Sequence, residues 1–216
     1  MRRIFTFLLA SCLVGGSYSF AQTSGGGKIK YGIKAGVNFG SFGYDSDTKK
    51  AIEEDGTEIK SLTSFHIGGY ADYAFSDAFS LQAGLTLNGK GGKETWSEDG
   101  DSWESKTNIM YLEIPVNAVY KTGGFYVGAG PYFGFALSGK VTETDEEDVD
   151  LKFGSGDDDH LKGTDFGVNF LAGYQLKNNI NIGVGYGLGL SNLVPKQVAN
   201  ESVKNRVFSV SVGYSF

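Results

Sequence analysis

From residue 31 to the C-terminus the chain repeats one pattern eight times. Apolar side chains alternate with small or polar ones over a stretch of strand length, and a turn or loop follows. A period of two is the mark of a β-strand with two unlike faces. The segments are 31–43, 64–75, 79–90, 107–120, 125–139, 164–176, 180–191 and 205–216. In the first, Tyr31, Ile33, Ala35, Val37 and Phe39 share one face, with Gly32, Lys34, Gly36, Asn38 and Gly40 on the other. In the seventh, Ile180, Ile182, Val184, Tyr186, Leu188 and Leu190 oppose Asn181 and four glycines. Eight such strands predict an all-β, antiparallel, up-and-down barrel.

The connections alternate in length. Ser76-Asp77-Ala78, Lys121-Thr122-Gly123-Gly124 and Lys177-Asn178-Asn179 are tight turns, whereas 44–63, 91–106, 140–163 and 192–204 are long loops. Hairpin pairing across the turns sets Phe75 opposite Phe79, Tyr120 opposite Phe125 and Leu176 opposite Ile180. In all three the apolar faces then meet on one side, as a paired hairpin requires. Pro115 and Pro131 fall inside strand patterns although proline donates no ladder bond. This pairing sets Pro115 beside Gly130 and Pro131 beside Ile114, so a local bulge or ladder gap is expected there.

Two barrels fit the pattern: a soluble one with its apolar face inward, and a membrane one with that face outward. Charge decides between them. Of 25 acidic residues, 21 lie in the four long loops, and the rest are Asp72, Asp77, Glu113 and Asp165. No acid stands on an apolar strand face. Among basic residues only Arg206 has apolar parity, at a strand's loop end where it can snorkel. A soluble barrel would cover its polar face with Lys, Glu and Thr, but here that face is mostly Gly, Ser and Asn, and glycine makes up 33 of 216 residues. Small residues suit a crowded barrel interior. Aromatics collect at two heights of the apolar face. Tyr31, Tyr73, Phe75, Phe79, Tyr120, Phe125, Tyr174, Tyr214 and Phe216 stand near the tight turns, and Phe39, Phe65, Phe135, Phe166 and Phe208 near the loops. Two aromatic belts are what two membrane interfaces select.

The N-terminus reads as an export leader. Met1-Arg2-Arg3 is positive, Ile4–Val14 is apolar but too short to span a bilayer as a helix, and Ser19-Phe20-Ala21 offers a cleavage site before Gln22. Residues 1–21 are therefore expected to be a signal peptide, 22–30 a short periplasmic segment and 31–216 the barrel. Leu9-Ala10-Ser11-Cys12 also matches a lipidation box, at the cost of a very short apolar core. With the leader removed the chain holds no cysteine, 17 basic and 25 acidic side chains, and a net charge of −8. Such a chain is a poor binder of nucleic acid.

The whole arrangement resembles the small OmpA/OmpX-like outer-membrane barrels. More closely, Tyr31-Gly32-Ile33-Lys34-Ala35-Gly36-Val37-Asn38 and Tyr111-Leu112-Glu113-Ile114-Pro115 resemble the porin-like (PorT-type) outer membrane protein β-barrel family common in Bacteroidetes. The likeness covers 28–216 and implies the bacterial outer membrane, short periplasmic turns and long extracellular loops. Phe216, with Tyr214 two before it, resembles the C-terminal signal read by the barrel-insertion machinery. Outer-membrane lipid, periplasmic chaperones and that machinery are the partners implied, and a monomer is expected.

The inward face carries Lys34, His66, Asp72, Lys90, Glu113 and Asp165 among Asn, Gln and Tyr. In a barrel barely wide enough for its own side chains these are expected to pair as a structural polar network. A narrow aqueous path is the alternative. Ser64 and His66 stand at i and i+2, a spacing compatible with a hydrolase, but they face inward while a lipid substrate would approach from outside. No catalytic residue, metal or cofactor is expected. The loop 140–163 holds nine acids against three lysines and reads as a solvated acidic surface without EF-hand spacing. Trp96 and Trp103 bracket Asp99-Gly100-Asp101 and are read as loop packing. The reading is a structural or surface-interaction barrel, with a narrow small-solute porin as the alternative.

Overall fold

The computed structural model describes residues 28–98, 101–154, 156, 159–195 and 202–216. The leader, Cys12 and the cleavage site lie outside the described residues. The elements are β1 (Lys28–Tyr44), α1 (Ser46–Glu54), β2 (Glu58–Lys60), β3 (Leu62–Ala74), β4 (Phe79–Glu98), β5 (Asp101–Thr122), β6 (Phe125–Glu143), β7 (Val149–Asp150), β8 (Thr164–Gln175), β9 (Ile180–Gly189) and β10 (Val203–Ser215).

Eight of these strands close into a ring. β1, β3, β4, β5, β6, β8, β9 and β10 pair antiparallel in chain order, and β10 returns to β1. Following partners once around leads from Lys28 through Ala74, Ser80, Val119, Gly128, Leu171, Gly185 and Ser209 to Asn38, ten residues further along β1. With strand rise and spacing at their usual values, that stagger tilts eight strands by about 40° and gives a radius of about 8 Å.

The faces fall as the alternation dictates. Ile33, Val37, Phe65, Leu85, Val127, Ile182, Val184, Val210 and Val212 are exposed on the outer surface, whereas Asn38, His66, Asp72, Thr86, Lys90, Glu113, Asn117, Asp165 and Asn205 are buried inside. Arg206 is exposed at the loop end of β10. Aromatic rings meet along the outer turn end, with centroids 5.1 Å apart for Phe79–Tyr120, 4.7 Å for Phe125–Tyr174 and 5.3 Å for Tyr214–Phe216. Higher on the surface Phe170, Tyr186, Phe208 and Phe39 follow one another as partners across β8, β9, β10 and β1.

Inside, tyrosines lie against glycines. Tyr70 is the direct partner of Gly32, Tyr126 of Gly173, and Tyr132 of Gly167. A Cβ added at Gly167 would stand 2.8 Å from the Tyr132 ring, and one at Gly32 would meet Tyr70's. The missing side chain lets each ring lie along the wall instead of crossing the lumen, the cross-strand form of aromatic rescue.

The first and third turns keep the expected register: Phe75 N–H donates to Phe79 O and Leu176 N–H to Ile180 O. The second does not. Gly123 and Gly124 have φ of 57° and 90°, the left-handed pair of a two-residue turn, so Thr122 faces Phe125 and Tyr120 faces Val127. The offset of two residues preserves the faces but moves the prolines. Pro115 stands opposite Tyr132, and Pro131 is level with Val116. The β5–β6 ladder has no pairs between Pro115–Tyr132 and Ala118–Ala129, and the β4–β5 ladder none between Ala83–Val116 and Thr86–Glu113. The expected ladder gap is therefore present at shifted partners, and a separate register slip lies between Met110 and Tyr111.

The loop end holds more order than the alternation shows. Residues 91–106 continue the β4–β5 ladder up to Trp96–Trp103 and Glu98–Asp101 instead of forming a loop. Both faces there are polar, so no period of two betrays the strands. β2 extends this wall by pairing with β4, and β7 pairs with β6. Asp45 caps α1 by accepting from Thr48 N–H (3.0 Å) and also accepts from Ser202 N–H (3.1 Å), tying the first loop to the last.

Candidate functional site: the lumen

Three polar clusters occupy the barrel interior. The first lies toward the loops. Lys90 reaches Glu113 at 2.6 Å and Asp165 at 3.1 Å, and its Nζ sits 3.8 Å from the centre of the Tyr132 ring. Asn88 and Asn169 donate to Glu113, while Ser191, Asn205 and Tyr132 donate to Asp165. Lys90 is 2% exposed and Asp165 0%. Charges so far from water persist only when paired and hydrogen-bonded, and here each carboxylate has the lysine plus two or three neutral donors.

The second cluster is central. His66 Nδ1 bonds Asn38 Oδ1 at 2.8 Å, and Asn38 Nδ2 donates to Asn88 Oδ1 at 2.7 Å and Gly89 O at 2.8 Å. Asn88 links it to Glu113. The third lies toward the turns, where Lys121 pairs with Asp72 at 2.6 Å and Ser80 donates to the same carboxylate. Nearby, Tyr70 Oη, Ser215 Oγ and Asn181 form a small triangle.

Of the six interior residues singled out in the sequence, Lys90, Glu113 and Asp165 form one cluster. Asp72 stands apart with Lys121, a residue the sequence reading placed in a turn. His66 makes no ion pair among the described residues. Ser64 and His66 share no hydrogen bond, since His66 is held by Asn38. Lys34 faces the lumen without a hydrogen bond or ion pair among the described residues. Sequence reasoning missed Asn205 and Ser191 as Asp165 ligands; Asn205 has inward parity in β10, which was the available signal.

Above the first cluster the loop end is packed. Ile109, Tyr111 and Leu193 are each 0% exposed. Leu193 is held by its own N–H donating to Val203 O and by accepting from Lys162 N–H. Below the first cluster lies a cavity of about 560 Å³, which runs from Asn38, Lys90 and Glu113 down to Ser76, Gly123 and Gly124 in the turns. The lumen cavity thus reaches from the first cluster to the turn end.

Residues 20–194 match the family described as outer membrane protein beta-barrel domain. No curated protein matches the chain. Among solved structures, the chain is similar to Ail, the attachment invasion locus protein of Yersinia pestis, solved with the heparin analogue sucrose octasulfate (13% identity, 88% of this chain and 99% of that one, TM-score 0.44). It is also similar to Neisserial surface protein A (14%, 88% and 99%, 0.47) and to OprG of Pseudomonas aeruginosa (14%, 90% and 99%, 0.39).

Proposed function

The chain belongs to the outer membrane protein β-barrel family and resides in the bacterial outer membrane, and from that premise we propose that it is a non-conducting barrel whose ordered loop end serves as an interaction surface. The observation that carries this reading is the packed loop end of the lumen: Ile109, Tyr111 and Leu193 packed over the Lys90–Glu113–Asp165 cluster. A through-path for solutes has no room there.

The loop end supports the interaction role. The β4–β5 hairpin stands on a ladder unbroken from Thr86–Glu113 to Glu98–Asp101, with half-buried Trp96 and Trp103 as partners. Glu104 binds both Lys93 and Lys106, and these lysines hold its carboxyl below the usual range. The hairpin is a stiff platform, and the acidic 140–163 loop beside it favours a partner of positive charge. The long loops face outward and the turns face the periplasm in this reading. The interior charges act as a structural network that sets the barrel's packing. Phe216, exposed and edge-on to Tyr214, is the aromatic terminus offered to the barrel-insertion machinery after periplasmic chaperones release the chain. The working unit is a monomer in outer-membrane lipid.

Planar-bilayer recording tests the reading. The purified barrel is expected to give no stepwise ohmic conductance. Reproducible steps from the wild-type chain would replace it with the narrow-porin reading.

A further inference from the structure

The lumen cavity carries a charge balance that the structural network does not consume. Its wall includes Lys28, Lys30, Lys34, Lys90 and Lys121 against Asp72, Asp77 and Glu113. Lys90 is taken by Glu113 and Asp165, and Lys121 by Asp72. Lys28, Lys30 and Lys34 make no ion pair among the described residues; because two carboxylates share Lys90, the five lysines face four acids once Asp165 is counted, and one positive charge is left over. This excess of positive charge sits inside a protein whose net charge is −6.

Lys34 is the deepest of the three. It stands on β1 opposite Gly68, two positions from Gly36, the partner of His66. Its register neighbours are glycines, with Gly213 as its partner on β10, so no side chain from either adjacent strand position pairs with it. The carboxylate across the lumen, Glu113, is already bonded by Lys90, Asn88 and Asn169. Ser209 and Ser211 of β10, half-buried in the same wall, make no side-chain hydrogen bond among the described residues. Buried polar atoms normally find a partner, and an unpaired ammonium in a narrow lumen favours an anion. A volume near 560 Å³ lies in the range of small-molecule sites.

We propose that the turn-side cavity is a binding site for a small phosphate- or carboxylate-bearing solute that also carries hydroxyl groups. Lys34 supplies the countercharge at its floor, and Ser209 and Ser211 meet the hydroxyls. Lys28 and Lys30 at the mouth draw the anion in. The ligand enters and leaves by the turn end, which the cavity reaches. The cavity stores or presents a solute rather than passing it across. This site is independent of what the loop end contacts.

The test is a solution NMR titration of the full barrel in detergent micelles at constant ionic strength. Glycerol 3-phosphate and inorganic phosphate are the probes, and chloride is the control. Saturable shifts are expected at amides of Gly36, His66, Ser209 and Ser211, tighter for glycerol 3-phosphate than for phosphate. Lys34→Met, which breaks no bond of the native barrel, should weaken binding about tenfold, the usual effect of losing a charge-assisted hydrogen bond. The Lys28→Gln/Lys30→Gln variant should weaken it about twofold to threefold, since those exposed charges are screened. Shifts that stay linear, equal those from chloride, or survive Lys34→Met unchanged would overturn the proposal. Should Lys34→Met not fold, unaltered affinity in the mouth variant would overturn it as well.

Discussion

Replacing Lys90 by methionine removes the cation held between Glu113 and Asp165 and leaves both carboxylates inside the barrel. Glu113 keeps Asn88 at 3.0 Å and Asn169 at 3.2 Å, and Asp165 keeps Ser191 at 2.7 Å, Asn205 at 2.9 Å and Tyr132 at 3.2 Å. Neither retains a countercharge, and the two acids that shared one lysine now repel. Breaking a buried pair from one side costs about 3–5 kcal/mol. Glu113 has the fewer remaining donors, so Lys90→Met/Glu113→Gln should recover roughly half of that loss, leaving Asp165 with its three donors. Urea unfolding of the barrel in lipid bilayers, followed by tryptophan fluorescence and gel mobility, measures both variants. A Lys90→Met barrel within about 1 kcal/mol of wild type, the range of a surface ion pair, would refute the claim that this cluster holds the loop end together. A double variant no better than the single one would refute the assignment of Glu113 as the less satisfied acid.

Three further outcomes follow from the same geometry. Val210 lies near the middle of β10 with Val37 and Val184 as partners, so Val210→Arg should destabilise the barrel by about 2–4 kcal/mol in bilayers, read by the same unfolding assay. Gly32→Ala places a Cβ where the Tyr70 ring lies; displacing that ring from Ser215 and Asn181 should cost about 1–3 kcal/mol and change the tyrosine near-ultraviolet dichroism. Asp45 titrates at about 2 because the backbone N–H groups of Thr48 and then Ser202 hold its carboxylate. Its unfolded value is about 3.9, so its contribution to loop order is complete above that pH and is lost as the pH falls through 2. The Thr48 and Ser202 amide resonances should follow that titration in wild type and not in Asp45→Asn.

The barrel was legible because lipid imposes a rule that sequence records directly: no charge on one face of eight strands. Strand number, face and the first and third turns follow from that rule. The second turn was read two residues too long, since Lys121 and Thr122 look like turn residues while the Gly123–Gly124 pair turns the chain alone. The error hid Lys121 as the partner of Asp72. The β4–β5 extension escaped notice because no apolar alternation marks it. The polar clusters show the limit of reading by parity. Lys90 and Asp165 are 75 positions apart, and parity says that both point inward but not that they meet. Leu193, fully buried at the loop end, was set among loop residues, although Leu-Val-Pro in a polar stretch was a visible hint.

The account rests on the outward direction of the apolar face, and a nitroxide scan along β10 tests it most directly. Apart from Cys12 the chain has no cysteine, so in a Cys12→Ser background single cysteines at positions 207–214 can be labelled one at a time in bilayers. Oxygen, which concentrates in the hydrocarbon, should collide freely with labels at 208, 210, 212 and 214 and poorly with those at 207, 209, 211 and 213. The opposite phase, or no alternation, would contradict the account.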